Sequence, residues 1–131
     1  MTAVPTDAAL AVEGLRKSSV LWLDLPGPGP ARAAWHGFVD GDAYVMHEGL
    51  EQQLPGLSEV GTVVVTLRSK ESRALLVRFT AAAETISPDD PRWAPAVRDL
   101  HERRQSPPDG QAQPARWAAD SVLTRLSPRA P

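Results

Sequence analysis

Asp40-Gly41 stands between Trp35-His36-Gly37-Phe38-Val39 and Ala43-Tyr44-Val45-Met46-His47, two short runs rich in apolar residues. A two-residue hairpin loop whose twist matches its strands needs a left-handed backbone at both positions, which Asp and Gly tolerate better than most residues. The segment therefore predicts a tight β-hairpin, and with it a protein organised around a sheet.

The rest of the chain adds strands to that hairpin. From Ser19, Leu21, Leu23 and Leu25 share one face while Val20, Trp22 and Asp24 share the other, the period of a half-buried strand. Pro26-Gly27-Pro28-Gly29-Pro30 ends it, because proline cannot donate to a ladder. Thr62–Leu67 is a β-branched run of strand length. Arg73–Ile86 is a longer strand with Leu75, Val77, Phe79, Ala81 and Ala83 on one face, and Arg68–Ser72 makes the polar hairpin end between the two. Ser121–Leu126 reads as a last strand with Val122 and Leu126 inward. Leu50–Glu59 carries Pro55-Gly56, suited to a type II turn, and reads as a loop or a single helical turn.

Two segments change to helical spacing. Asp7–Arg16 places Ala8, Ala11, Val12 and Leu15 on one face, with Thr6 as cap and Arg16-Lys17 at the negative end of the dipole. After Pro91, Trp93, Val97 and Leu100 recur at helical intervals, with Asp89-Asp90 as the start signal and Arg103-Arg104 at the end. Gln113–Ala118 adds one further turn. Six antiparallel strands and these helices make an α+β protein, mainly β, whose two sheet edges must be hidden; a small barrel and an open sandwich both satisfy the pattern.

Length and charge narrow the function classes. The 131 residues suit one domain spanning 1–131, and a net charge of -2 offers no attraction to nucleic acid or anionic lipid. There is no cysteine, which fits a reducing compartment and rules out thiolate metal sites. No apolar run approaches the roughly 20 residues of a membrane span, so a cytoplasmic, soluble protein is expected. No Gly-x-Ser-x-Gly elbow or phosphate-cradling glycine loop occurs, so neither hydrolysis nor nucleotide phosphate transfer is indicated.

Three strings then carry a resemblance: Gly49-Leu50-Glu51-Gln52-Gln53-Leu54-Pro55-Gly56-Leu57, Arg68-Ser69-Lys70, and Pro108-Asp109-Gly110-Gln111-Ala112-Gln113-Pro114-Ala115-Arg116-Trp117. With the order of elements, they resemble small actinobacterial members of the pyridoxamine 5'-phosphate oxidase-like family. The resemblance implies a six-stranded Greek-key split β-barrel with an N-terminal helix and a helix before the last strand. It also implies a homodimer, with FMN or the deazaflavin F420 in a cleft between subunits, and in some branches heme or no cofactor. Such a protein would be an oxidoreductase acting on a small molecule, or a non-enzymatic dimeric barrel that has lost the cofactor and serves as a binding module. One departure stands out. Cofactor-binding members carry Arg and Lys after the third strand, whereas Glu48, Glu51, Gln52 and Gln53 occupy that segment here.

The candidate cofactor contacts are Gln52, Gln53, Arg68, Lys70, Arg73 and Trp117. Arg68, Lys70 and Arg73 could hold a phosphate, ribityl or carboxylate group, although a solvated turn explains them equally well. Gln52 and Gln53 offer donors and acceptors to a ring edge or sugar. Trp117, beside Arg116, could stack on a planar ligand, but anchoring the last strand is the more economical role. Trp22 and Trp35 are expected in the core or at a dimer contact. His36 and His47 share a face of the hairpin; with no third ligand set by spacing, although Glu48 is next in line, they read as solvent-facing or hydrogen-bonded strand histidines rather than a metal site. No catalytic residue is assigned.

Overall fold

The computed structural model describes residues 7–68, 75–103 and 110–128. The order of elements is helix α1 (Asp7–Lys17), strands β1 (Val20–Asp24), β2 (Arg32–Trp35), β3 (Gly37–Val39), β4 (Asp42–His47), β5 (Thr62–Arg68) and β6 (Leu75–Ile86), helices α2 (Trp93–Arg103) and α3 (Gln113–Asp120), and strand β7 (Val122–Pro128). The hairpin forms as its sequence predicts: Val39 pairs with Asp42, and Asp40 and Gly41 take φ of 50° and 87°. Gly56, at φ 86° and ψ -10°, closes the predicted type II turn, with Leu57 N–H donating to Leu54 O.

Among the described residues every ladder between strands is antiparallel, and the strands lie in the order β2-β1-β5-β6-β7-β4-β3. The two edge strands, β2 and β3, are consecutive in the chain and separated only by His36. The sheet thus curls until its first and last strands are halves of one bent segment. This is the α+β split barrel, with one correction: the single strand expected over 35–39 is broken at His36 and begins earlier, so six strands become seven. The alternation of Trp35-His36-Gly37-Phe38 gives no hint of the break. It arises because one strand must leave β1 and join β4 on the other side of the barrel.

Two cores result from the two faces of the sheet. Inside lie Leu21 and Leu23 of β1, Val63, Val65 and Leu67 of β5, Phe79 and Ala81 of β6, and Leu126 of β7, with Ala11 and Leu15 of α1 packed onto them. Gly14 lets α1 come close, since a Cβ there would stand 2.6 Å from Leu67 Cδ1. Outside, Tyr44, Met46, Ile86 and Leu123 pack against Ala96, Val97 and Leu100 of α2 and Trp117 of α3. Asp90 accepts the Arg92 N–H at 2.8 Å and prepares the entry to α2, as the sequence suggested. Thr6, Lys70, Arg73 and Arg104 fall outside the described residues.

The bent segment leaves a slit between β2 and β4, and one side chain fills it. Gln52 Oε1 accepts the Trp35 N–H at 3.0 Å, while its Nε2 donates to Trp35 O at 3.0 Å and to Met46 O at 3.1 Å. A primary amide presents the same groups as a peptide unit, so Gln52 acts as a rung of strand between two strands that have parted. Its own backbone continues the repair, with a bridge to His47 and its carbonyl accepting the Glu48 N–H at 2.9 Å. Replacing Gln52 by Leu keeps the volume but strips partners from three backbone groups. A loss of about 2–4 kcal/mol is expected, read from urea unfolding; a change below about 0.5 kcal/mol would show that the slit closes without the amide.

Candidate functional site

Trp22 points out of the barrel, because it alternates with the buried Leu21 and Leu23 on β1. Its neighbours across the sheet are Ala33 on β2 and Thr66 on β5. Arg68 lies two residues beyond Thr66, where the β5–β6 register shifts between Leu67 and Arg68. Such a bulge re-aims the side chain that follows it. The Arg68 guanidinium carbon stands 5.9 Å from the centre of the Trp22 ring, within cation–π range. Trp22, Arg68, Pro30 and Ala31 line an open groove of about 320 Å³. The nearby Asp24 carboxylate accepts from Arg78 at 2.8 Å, which offsets its charge. Of the two places expected for Trp22, the core does not hold it: it belongs to neither packed core and is half-buried beside the groove, on the outward face it shares with Val20 and Ala33. The signal was present in the alternation, which places it on the face of Val20 and Asp24.

The acidic, amide-rich segment after β4 behaves differently from a ligand cradle. Glu48, at φ 66°, turns the chain with Gly49 at φ 64°. Its carboxylate accepts the Leu54 N–H at 2.8 Å and its carbonyl accepts from Ser121 Oγ at 3.1 Å, which holds a backbone that a non-glycine residue seldom adopts. Glu51 is buried and pairs with Arg116 at 2.9 Å. The Gln53 side chain is exposed and donates to Gly49 O at 3.1 Å and Glu51 O at 3.0 Å. The structure thus engages the carboxylates and amides of this segment with the loop itself and, for Glu51, with Arg116 of α3, and commits Gln52 to the slit. No spacing rule would have revealed this, since Trp35, Arg116 and Ser121 come from distant elements.

Trp117 is wholly buried in the outer core. Its ring centre lies 6.3 Å from that of Trp35 and 6.4 Å from that of His101, the latter edge-on. One turn earlier on α3, Gln113 is also fully buried, its Oε1 accepting from His101 Nδ1 at 2.9 Å. Trp117 therefore anchors α3 against the barrel wall and α2, where an anchor for the last strand was expected, and it does not line the groove at Trp22.

The two histidines do not meet as a pair of ligands. His36 Nδ1–H donates to Gly37 O at 3.0 Å and its Nε2 faces Ser18 Oγ at 3.3 Å. His47 Nδ1–H donates to Glu48 Oε1 at 3.0 Å while Nε2 accepts from Thr124 Oγ1 at 2.8 Å. Thr124, His47 and Glu48 thus form a hydroxyl–imidazole–carboxylate chain. Thr124 and His47 are buried, however, so no substrate carbonyl can reach the hydroxyl, and the chain ties β4, β7 and the loop together instead. Among the described residues, no three His, Asp or Glu side chains gather as a metal site. Nor is any described helix long and apolar enough to cross a membrane.

With this geometry in hand, comparison with known proteins gives the fold a class. No family model and no curated protein matches the sequence. Solved structures do match. The heme storage protein HutZ of Vibrio cholerae is similar at a TM-score of 0.62 and 20% identity, over 89% of this chain and 86% of that one. A putative pyridoxamine 5'-phosphate oxidase of Listeria innocua is similar at 0.57 and 14%, over 91% and 93%. An F420 reductase is similar at 0.53 and 20%, over 85% of each chain. The chain has the split β-barrel fold of the pyridoxamine 5'-phosphate oxidase-like proteins.

The histidines give this fold an acid limit. Burial pushes the His36 imidazole below its ordinary value of 6.5, against the opposing bond to Gly37 O. Burial does the same to His47, against the bond to Glu48. Burial also resists ionisation of Glu48, but the bonds from His47 and Leu54 N–H outweigh it and hold the carboxyl below 4.5. Unfolding exposes both imidazoles to protonation near 6.5, so their contribution is fully present above that pH and falls away as pH drops through it toward the folded values. Glu48 acts in the same direction but at lower pH, below 4.5. Thermal unfolding midpoints should accordingly be flat above 6.5 and decline between 6.5 and 4.5. A His36→Gln/His47→Gln double variant should show a shallower decline over that interval; an unchanged slope would remove the histidines as its cause.

Proposed function

We propose that the protein is a flavin- or deazaflavin-binding split barrel that acts as an oxidoreductase on a small molecule. The observation that carries this reading is the Arg68 guanidinium lying over an indole on a barrel wall that neither α2 nor α3 packs against. The likeness in fold to an F420 reductase and to a putative pyridoxamine 5'-phosphate oxidase supports it. Arg68 fits the phosphate of FMN or F420 by charge, and Lys70 and Arg73 follow it closely in sequence as further cations. Gln53, exposed at the rim of its loop, remains a candidate contact. Gln52 and Trp117 fit less well, since the amide of one is engaged by backbone and the ring of the other is buried; in this reading they hold the wall.

When bound, the cofactor supplies the hydride chemistry, and the chain need only bind it, orient it and exclude water. A second copy of the chain completes the cleft. Val20, 45% exposed, and the exposed Ala33 leave the β2–β1 side of the wall partly apolar, as a subunit contact requires. A reducing cytoplasm suits both the absence of cysteine and a reduced flavin.

One observation favours the alternative, a dimeric barrel without cofactor. The segment from Glu48 to Gln53 commits its carboxylates and amides to groups of the protein itself and offers no cation. The readings separate in one experiment: the visible spectrum of the purified protein, followed by titration with FMN, F420 and hemin. Saturable FMN or F420 binding with about one site per chain is expected; binding of none of the three overturns the cofactor reading and leaves the binding module.

A further inference from the structure

Where α3 meets α2, two side chains are sealed from solvent with polar hydrogens still unplaced. Gln113 and Trp117 are both fully buried. They stand one turn apart on α3 and so share a face of it. Helical side chains lean toward the N-terminus of their helix, which lays the Trp117 indole over the turn that Gln113 opens. His101 of α2 closes the cluster: its Nδ1–H donates to Gln113 Oε1 at 2.9 Å, and its ring meets the indole edge-on at 6.4 Å between centres. That bond takes the oxygen of the Gln113 amide and turns its nitrogen away from His101. Among the described residues, neither Gln113 Nε2 nor Trp117 Nε1 has an acceptor. Arg116, between them in sequence, is drawn toward Glu51 at 2.9 Å.

We infer that Gln113 Nε2 and Trp117 Nε1 form an enclosed binding site for a small monovalent anion of the size of chloride. A buried N–H without a partner is costly, so two on one face of a helix mark a place where an acceptor belongs. The balance of groups selects which acceptor. A water molecule receiving both N–H groups has two hydrogens of its own to place, whereas the Gln113 oxygen is engaged by His101 and the core that holds Trp117 includes Met46, Leu100 and Leu123. An anion asks for donors alone. Neither residue offers any exposed surface, which restricts the occupant to an ion that enters by local opening of α3 and excludes a flavin or a nucleotide. A protonated His101 imidazole, beside the indole, supplies the compensating charge. Neither residue lines the groove at Trp22, so the site is independent of the cofactor reading.

The test uses the full chain, exchanged into sodium methanesulfonate and titrated with sodium chloride or sodium bromide at constant ionic strength. The readouts are the Trp117 indole N–H resonance and the thermal unfolding midpoint. Both halides should move the Trp117 resonance saturably while that of Trp22 stays in place. The midpoint should rise by about 5 °C at a tenfold excess over half-saturation. Gln113→Glu sets a carboxylate oxygen where the amide nitrogen stood and gives the indole an acceptor of its own; this variant should lose the halide response and, without halide, unfold no earlier than the wild type saturated with chloride. Trp117→Phe removes one donor and keeps a ring, so half-saturation, read from the midpoint, should rise about tenfold. A Trp117 resonance indifferent to both halides overturns the inference, as does a halide response that survives Gln113→Glu. The wild-type titration and Gln113→Glu decide the matter even if Trp117→Phe does not fold.

Discussion

The barrel depends on an amide that behaves as backbone. A sheet that curls on itself must either pair its first and last strands or leave a row of unsatisfied N–H and C=O groups, each costly when shielded from water. Here the segment running from Arg32 to Val39 serves both edges, β2 against β1 and then β3 against β4, and cannot pair with both along its whole length. The gap falls at Trp35, and Gln52 supplies one acceptor and two donors to the groups exposed there. The turn at Glu48 and Gly49, the ion pair between Glu51 and Arg116, and the chain from Glu48 through His47 to Thr124 all fix the position from which Gln52 reaches in.

That arrangement explains why a segment expected to face a ligand is occupied elsewhere. Carboxylates near a phosphate site would be repulsive, but Glu51 is buried against Arg116 and Glu48 accepts from His47 and Leu54, so neither projects its charge into the groove at Trp22. The groove at Trp22 is thereby separated in space from closure of the barrel. The wall formed by β1 and β5 carries the cation and the aromatic face; the slit between β2 and β4 carries the polar repair.

Much of this fold was legible, and for identifiable reasons. Asp40-Gly41 specified its own turn, and Leu21 and Leu23, Phe79 and Ala81, Ala11 and Leu15 announced their buried faces by spacing alone, because local geometry fixes which side chains share a face. The break at His36 was not legible: the same alternation runs through Trp35 to Val39, and only the path around the barrel decides where pairing changes sides. Gln52 was ambiguous for a related reason. An amide is equally suited to a ligand edge and to a peptide group, and the choice between them is set by residues far away in sequence. Trp22 lay between these cases, since its outward direction was readable but the groove beside it required Pro30 and Arg68 to be brought together.

The covalent continuity of β2 and β3 has a consequence for how errors propagate. In an open sheet, an edge strand can slide by one residue and disturb only its single neighbour. Here sliding Arg32–Trp35 along β1 would drag Gly37–Val39 along β4 and pull Phe38 N–H away from the Asp99 carboxylate that accepts it at 2.9 Å. Misalignment on one side of the molecule disturbs the other side as well, so the two alignments are selected together.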